Sequence, residues 1–272
     1  MMRGRWMRRR QQESSLALPL RKQLINEERG GDTIASVAQN PVPIHLCVED
    51  PDARQLQREP AGKRFKLRLA DTDYRRNSAN CLVQRRYAWR NYKIGETRGS
   101  DPTRIALAAH GHNGIVGTVS VGLDAGSGLF VDDLYKDEAN TLRREGRRLC
   151  EFTKLAIDND VRSRPLLAAL FHLAFIYARR MYYCTDLLIE VNPRHVGFYR
   201  RMLGFQQLGL QRFNARVTAP AVLLGLCLAH AETQITQYGG HPHLYSTVRS
   251  LYPYAFSPHE EAGIEQRLRG LG

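Results

Sequence analysis

The stretch from Leu149 to Phe205 leaves this chain few ways to fold. It begins with an apolar run of strand length, Leu149 to Asp158. A long apolar segment of helix length follows, from about Pro165 to Met181, and a second apolar strand runs from Asp186 to Asn192. That strand feeds directly into Pro193 and a helix carrying Tyr199. The helix stops at Gly204, suited to a left-handed turn, and Phe205 serves as a buried anchor. Strand, helix, strand, helix in this order demands a sheet with helices laid against it.

The flanking sequence extends the sheet. Arg64 to Ala70 alternates polar and apolar residues as a half-buried strand does. Asp71 to Asn77 is a polar connection, and Asn77 or Ser78 caps a helix to about Asn91. Arg104 to Ala109 and Ile115 to Leu123 flank a turn through Gly111, His112, Asn113 and Gly114, and the Asn-Gly pair predicts a hairpin. Asp132 to Glu145 is helical, acidic and then basic, with Gly146 as its stop. Gln206 to Phe213 and Ala221 to Leu228 read as two further strands. The run Val222 to Leu228 would also suit a buried helix, but Pro220 before it and the polar helix Ala229 to Tyr238 after it favour a strand. Ser257, Pro258 and Glu260 form a capping-box start to a last short helix. The order β-α-β-β-α-β-α-β-α-β-β predicts an α/β fold: a mixed, twisted sheet with helices on both faces.

A chain of 272 residues can bury a full core. Residues 1–60 are polar and charged, with Gly30, Gly31, Pro41 and Pro43 as breakers, and predict a mostly flexible basic arm in which Ser14 to Ile25 suits a short helix. The folded domain is expected over 61–240, and 241–272 is a C-terminal extension bearing the last helix. The formal net charge of +13 implies an acidic partner: nucleic acid, an anionic membrane or a negatively charged carrier protein. No recognition motif accompanies that charge, so nucleic acid binding is the weakest reading and is not expected. Five cysteines without CxxC spacing indicate reduced thiols in a cytoplasmic protein. No apolar stretch follows the basic N-terminal residues as a secretory signal requires, and the run Pro165 to Ala178 is too short for a transmembrane segment. His110 with His112, and His241 with His243, supply too few ligands for a metal site.

Four segments carry a family resemblance: Ala70 to Ser78, Cys81 to Trp89, Cys150 to Ala156 and Glu190 to Tyr199. With the element order, they resemble the GCN5-related N-acetyltransferase fold. More closely, the body from about Phe65 to Gly240 resembles the long-chain N-acyl amino acid synthases, of the N-acyltyrosine synthase type. The resemblance implies an N-acyltransferase that moves a long-chain fatty acyl group from acyl carrier protein to the α-amine of an amino acid. It implies no bound cofactor; the acyl-phosphopantetheine of the carrier is the donor substrate. These synthases are also similar to acyl-homoserine-lactone synthases, whose fourth strand carries a pattern comparable to Glu151, Thr153 and Lys154. An autoinducer-type synthase or a CoA-dependent N-acetyltransferase is therefore the alternative.

One departure from the wider fold bears on the donor. Acetyl-CoA users have a glycine-rich turn whose backbone N–H groups cradle the pyrophosphate. Here Asn159 to Pro165 contains no glycine. Carrier-bound phosphopantetheine has a single phosphodiester, for which Arg162 and Arg164 at a helix start suffice; alternatively the two only solvate that helix start. Arg194 belongs, with Arg143, Arg144, Arg147, Arg148, Arg200 and Arg201, to a basic surface suited to an acidic carrier.

Amide formation from a thioester needs a deprotonated amine, a stabilised oxyanion and a departing thiolate. In the resembled fold the fourth and fifth strands splay apart, which makes the backbone N–H near Phe152 or Thr153 the expected oxyanion donor. Glu151 is the candidate base, or else a structural ion pair with Lys154 or a neighbouring arginine. Lys154, three residues on, is expected on the opposite strand face, where it binds the acceptor carboxylate or is structural. Asn192 ends the next strand as a substrate-binding candidate. By resemblance Tyr199 is the acid for the leaving thiolate, against plain aromatic packing with Phe198 and Phe205. Arg85, Arg86, Tyr87 and Trp89 either line an acceptor pocket or form a basic face with one core aromatic. Leu166, Leu167, Leu170, Phe171, Leu173 and Ala174 are the candidates for an acyl tunnel, or simply core.

Overall fold

Burial alternates along Arg64–Leu69 (β2), with Phe65 and Leu67 inward and Arg64 and Lys66 outward, as its sequence predicts. The computed structural model describes residues 33–38, 64–88, 101–125, 128–161 and 163–271; most of the expected arm, including Ser14 to Ile25, lies outside these, as do Trp89 and Arg162. Within the stretch read as arm, Ala35–Ala38 (β1) is a strand paired antiparallel with β2, with Ile34 and Ala35 in the core. The next helix, Asp73–Ala88 (α1), starts a turn earlier than expected. Thr72 explains the shift: its Oγ1 accepts the Arg75 N–H at 3.3 Å, and Asp73 suits the positive helix start.

The Asn113-Gly114 hairpin forms as predicted from Arg104–Gly111 (β3) and Gly114–Leu123 (β4). Asp132–Arg144 (α2) ends before Gly146, which has φ +76°. The central stretch then gives Leu149–Ile157 (β5), Arg164–Phe175 (α3), Asp186–Val191 (β6) and Val196–Leu203 (α4), the last stopped by Gly204 at φ +79°. The helix expected to run to Met181 changes to a π-helical turn over Ile176–Met181. Gln206–Gln207 (β7), Arg212–Asn214 (β8), Ala219–Cys227 (β9) and Leu228–Tyr238 (α5) follow. The strand expected over Gln206 to Phe213 is thus split in two. Leu208 and Gly209 both donate their N–H to the Leu223 carbonyl, and Gly209 packs so closely on the Tyr135 ring that a Cβ would sit 2.7 Å from it. A short helix Tyr245–Val248 (α6) and the capping-box helix Pro258–Arg269 (α7) complete the described chain.

The sheet order is β1-β2-β3-β4-β5-β6-β9-β7, with β8 on the far end of β9. Neighbours are antiparallel except β5 and β6, the pair joined through α3. α3 is apolar all round because it is covered all round. One side meets the sheet, and the other shares a core with Leu251, Tyr252, Phe256, Ile264 and Leu268 from the C-terminal segment. Its single polar intruder, His172, accepts the Phe256 N–H at Nδ1 (2.9 Å) and pairs through Nε2 with Glu261 (3.2 Å). Ser163 caps α3, its Oγ accepting the Leu166 N–H at 3.3 Å. Ser163→Ala is expected to remove about 1 kcal/mol of stability, read as a lower urea midpoint with an unchanged slope.

Candidate active site

β5 and β6 part company. They pair over Leu149–Asp186, Cys150–Leu187 and Glu151–Leu188 and no further, although β5 runs on to Ile157 and β6 to Val191. Each keeps its other neighbour, β4 and β9, so the free edges open like a V. A cleft of about 290 Å³ fills it, walled by the β5 edge from Glu151 to Ile157, by Glu190 of β6 and Asn192 just beyond it, and by Tyr199 of α4. Backbone groups on that β5 edge have no strand partner among the described residues, which leaves them available to a ligand.

β5 is also bulged. Ser120 faces Thr153 and Thr118 faces Ala156, so Val119 alone opposes both Lys154 and Leu155. Lys154 takes φ +52°, a left-handed conformation that costs a non-glycine residue roughly 1 kcal/mol or more. The bulge shifts the strand's alternation by one residue. Ala156 packs with Leu82 and Val83 of α1, while Leu155 and Ile157 pack the opposite core. Lys154 consequently lies on the α1 face, donating from Nζ to Asn80 Oδ1 at 3.2 Å, rather than opposite Glu151 as uninterrupted alternation predicts. Burial lowers its pKa, helped by the charge of Arg104.

Glu151 is fully buried and fully engaged. Its Oε1 accepts from Arg104 Nη1 (2.5 Å) and the Phe130 N–H (2.8 Å), and its Oε2 accepts the Val131 N–H (3.1 Å). The register explains the pair. Arg104, Gly122 and Glu151 stand abreast on β3, β4 and β5, and glycine in the middle lets the arginine reach across. A Cβ on Gly122 would lie 2.5 Å from Arg104 Nη1. With each oxygen bonded, Glu151 fits the structural ion pair with a neighbouring arginine better than a base.

Glu190, one of the quoted family residues but given no role from sequence, is different. Its Oε2 accepts from Asn214 Nδ2 (2.6 Å) and Arg216 Nη2 (2.7 Å), whereas its buried Oε1 has no hydrogen-bond partner among the described residues. Burial raises its pKa to about 7 against the pull of Arg216, with Glu151 and Asp133 adding to the rise. The sequence signal was present: a glutamate flanked by Ile189 and Val191 in an apolar strand is as awkward as Glu151.

The other candidates divide. Phe152, Thr153, Lys154, Asn192 and Tyr199 all line the cleft. Tyr199 is packed edge-on against Phe171, Phe198 and Phe205, with centroids 6.2, 5.4 and 5.6 Å away, and burial pushes its phenol above its usual pKa. Asn192 Oδ1 accepts the Arg194 N–H, and its Nδ2 donates to the Pro220 carbonyl. Arg85 misses the cleft, exposed and 3.6 Å from Asp158; Arg86 and Tyr87 line it instead. Arg164 lies with its guanidinium over the Tyr245 ring at 4.4 Å. Arg194 is exposed beside Asn192. Arg143 is held between Asp124 and Asp132. Among the described residues no group of three or more metal-ligating side chains comes together, and no helix is long and apolar enough to cross a membrane.

A mixed sheet split between a parallel pair, with a bulged strand on one wall of the V, is the architecture of the GCN5-related N-acyltransferases, and the chain is an acyltransferase of that superfamily. It belongs to the family described as N-acyl amino acid synthase FeeM, whose model matches residues 78–227. The solved structure of FeeM, an N-acyl amino acid synthase from uncultured soil microbes, is 27% identical with a TM-score of 0.58, over 63% of this chain and 96% of that one. An acyl-CoA N-acyltransferase from Pseudomonas aeruginosa (12% identity, TM-score 0.42, 60% and 99% covered) and the AHL synthase LasI (12%, 0.44, 61% and 91%) are similar at greater distance. No curated protein sequence matches the chain significantly.

Proposed function

We propose that this acyltransferase moves a long-chain acyl group from the phosphopantetheine thioester of acyl carrier protein to the α-amine of an amino acid. The observation that carries the reading is the V between β5 and β6. It offers unpaired β5 backbone to an extended pantetheine arm and brings the thioester alongside Tyr199. The thioester carbonyl lies against the β5 edge near Phe152 and Thr153, where a backbone N–H stabilises the oxyanion. The C–N bond forms, the C–S bond breaks, and the Tyr199 hydroxyl, kept protonated by burial, gives its proton to the departing sulfur and regains one from the nitrogen. The acyl chain follows the apolar wall of Phe152, Leu167 and Phe171, and Lys154 supplies a positive charge for the acceptor carboxylate.

The start of α3 supports a carrier rather than CoA. Pro165 has no N–H, the Leu166 N–H is taken by Ser163 Oγ and the Leu167 N–H by the Ser163 carbonyl. Few donors remain there to cradle a pyrophosphate. Arg194, Arg200 and Arg201 are exposed beside the cleft, where an acidic carrier would present its arm.

Purified protein is expected to release free thiol from palmitoyl carrier protein only when an accepted amino acid is present, with the N-acyl amino acid seen by mass spectrometry. Palmitoyl-CoA should be a poorer donor. Turnover of acetyl-CoA, with no release from the carrier for any acceptor, would overturn the reading.

A further inference from the structure

We propose that Glu190, not Glu151, is the base that takes the proton from the attacking amine, its free Oε1 pointing the amine at the thioester in the V. The proposal rests on the reading of the cleft as an N-acyltransfer site. Two carboxylates stand on the same face of β5 and β6, and the protein has treated them oppositely. Glu151 has both oxygens engaged, one by a guanidinium and a backbone N–H and the other by a second backbone N–H, so an ammonium gains less by approaching it. Glu190 lines the cleft, with one oxygen tied down by Asn214 and Arg216 and the other buried without a hydrogen-bond partner among the described residues.

That half-tied geometry is what a base requires. The Asn214 and Arg216 bonds fix the carboxylate plane, and the vacant oxygen of a buried acid is costly unless a donor arrives. An ammonium is such a donor. The groups facing Glu190 are Asn214 at the end of β8 and Arg216 from the turn after it, Asp133 and Tyr135 from α2, and Glu151 with its Arg104 from the neighbouring strands. Arg216 is itself shared with Asp133 at 3.5 Å, so its charge is not given wholly to Glu190. The balance leaves Glu190 changing protonation at about pH 7, where a carboxylate both exists and binds a proton well.

The step balances simply. Glu190 Oε1 takes one proton from the ammonium and later returns it to solvent. The free amine's lone pair forms the C–N bond, the C–S bond breaks with its electrons on sulfur, and the nitrogen's second proton makes good the one that reaches the thiolate.

Two measurements test this. In the first, the rate of the wild-type protein, with whichever acyl thioester it turns over, is followed against pH. It should rise through about pH 7, because the folded-state pKa is raised and the base exists only above it. Glu190→Gln keeps the acceptor oxygen for Asn214 and Arg216. It should lose roughly 10²–10⁴-fold in kcat at neutral pH, lose the limb near 7, and recover with rising pH as the amine deprotonates unaided. Hydroxylamine, already uncharged at neutral pH, should be acylated by both proteins at similar enzyme-dependent rates. A variant that keeps the limb, or is depressed equally with both acceptors, overturns the proposal. The second measurement needs no turnover: with 13C-carboxyl-labelled glutamate, one resonance should titrate between about pH 6 and 8 and vanish in Glu190→Gln. Its absence from the wild type overturns the proposal even if the donor has been misread.

Discussion

Arg104→Ala is expected to cost this protein about 3 kcal/mol of folding stability, near the lower end of what breaking a buried ion pair removes. Glu151 is completely inaccessible and Arg104 partly buried, with 13% of its side chain exposed, and the pair is made at 2.5 Å. Removing the guanidinium leaves a carboxylate that water cannot reach. Two backbone N–H groups, from Phe130 and Val131, still hold it, which is why the loss falls at the low end. Arg104 also stacks on Phe130 at 3.8 Å and donates to the Gly128 carbonyl, so the loop before α2 should loosen with it. For a domain of this size the loss corresponds to roughly 6–12 °C in Tm. Replacing both partners, Arg104→Met with Glu151→Met, should recover part of it, because the Glu151 charge is then no longer stranded; the Arg104 contact with Asp101 at 3.3 Å is lost in either variant. A Tm for Arg104→Ala within a degree of wild type would show that the pair contributes nothing.

Tyr199→Phe should do the reverse, sparing the fold and lowering turnover. The ring is fixed by three edge-on aromatic contacts, none of which involves the hydroxyl. Its position therefore survives loss of the oxygen, and Tm should stay put. If the phenol protonates the departing thiolate, kcat falls by about 10²-fold with little change in KM. The effect should shrink with acyl donors whose thiols leave without a proton, such as an aryl thioester. An unchanged kcat with palmitoyl carrier protein would return Tyr199 to the role of packing aromatic.

What could be read from the chain was what lies close together along it. Asn113-Gly114, Gly146, Gly204 and the Ser257 box each state their turn within four residues, and each forms as expected. The helix start at Thr72 was obscured by Asn77 and Ser78, two equally good capping residues that end up inside the helix. The site was harder because its decisive partners are distant. Glu151 is neutralised by a residue 47 positions earlier, and Glu190 is oriented by residues 24 and 26 positions later. No spacing rule distinguishes those two glutamates; only the register of β3, β4 and β5 and the path of the β8–β9 turn do so. The bulge was invisible for another reason. Left-handed backbone is normally announced by glycine or asparagine, and here it falls on Lys154.

That bulge makes β5 two strands in one, joined out of phase. From Leu149 to Phe152 the odd-numbered residues face α2; beyond Thr153 it is the even-numbered ones that meet α1. Regular pleating over the full length of β5 would make Ala156 and Ile157 exchange sides, whereas a chain lacking only Lys154 would pleat regularly and still keep Leu155, Ala156 and Ile157 on their present sides. The core therefore does not need the extra residue. What it adds is the left-handed corner at Lys154 on the wall of the cleft, so a deletion there would reshape the site and leave the interior's pattern in place.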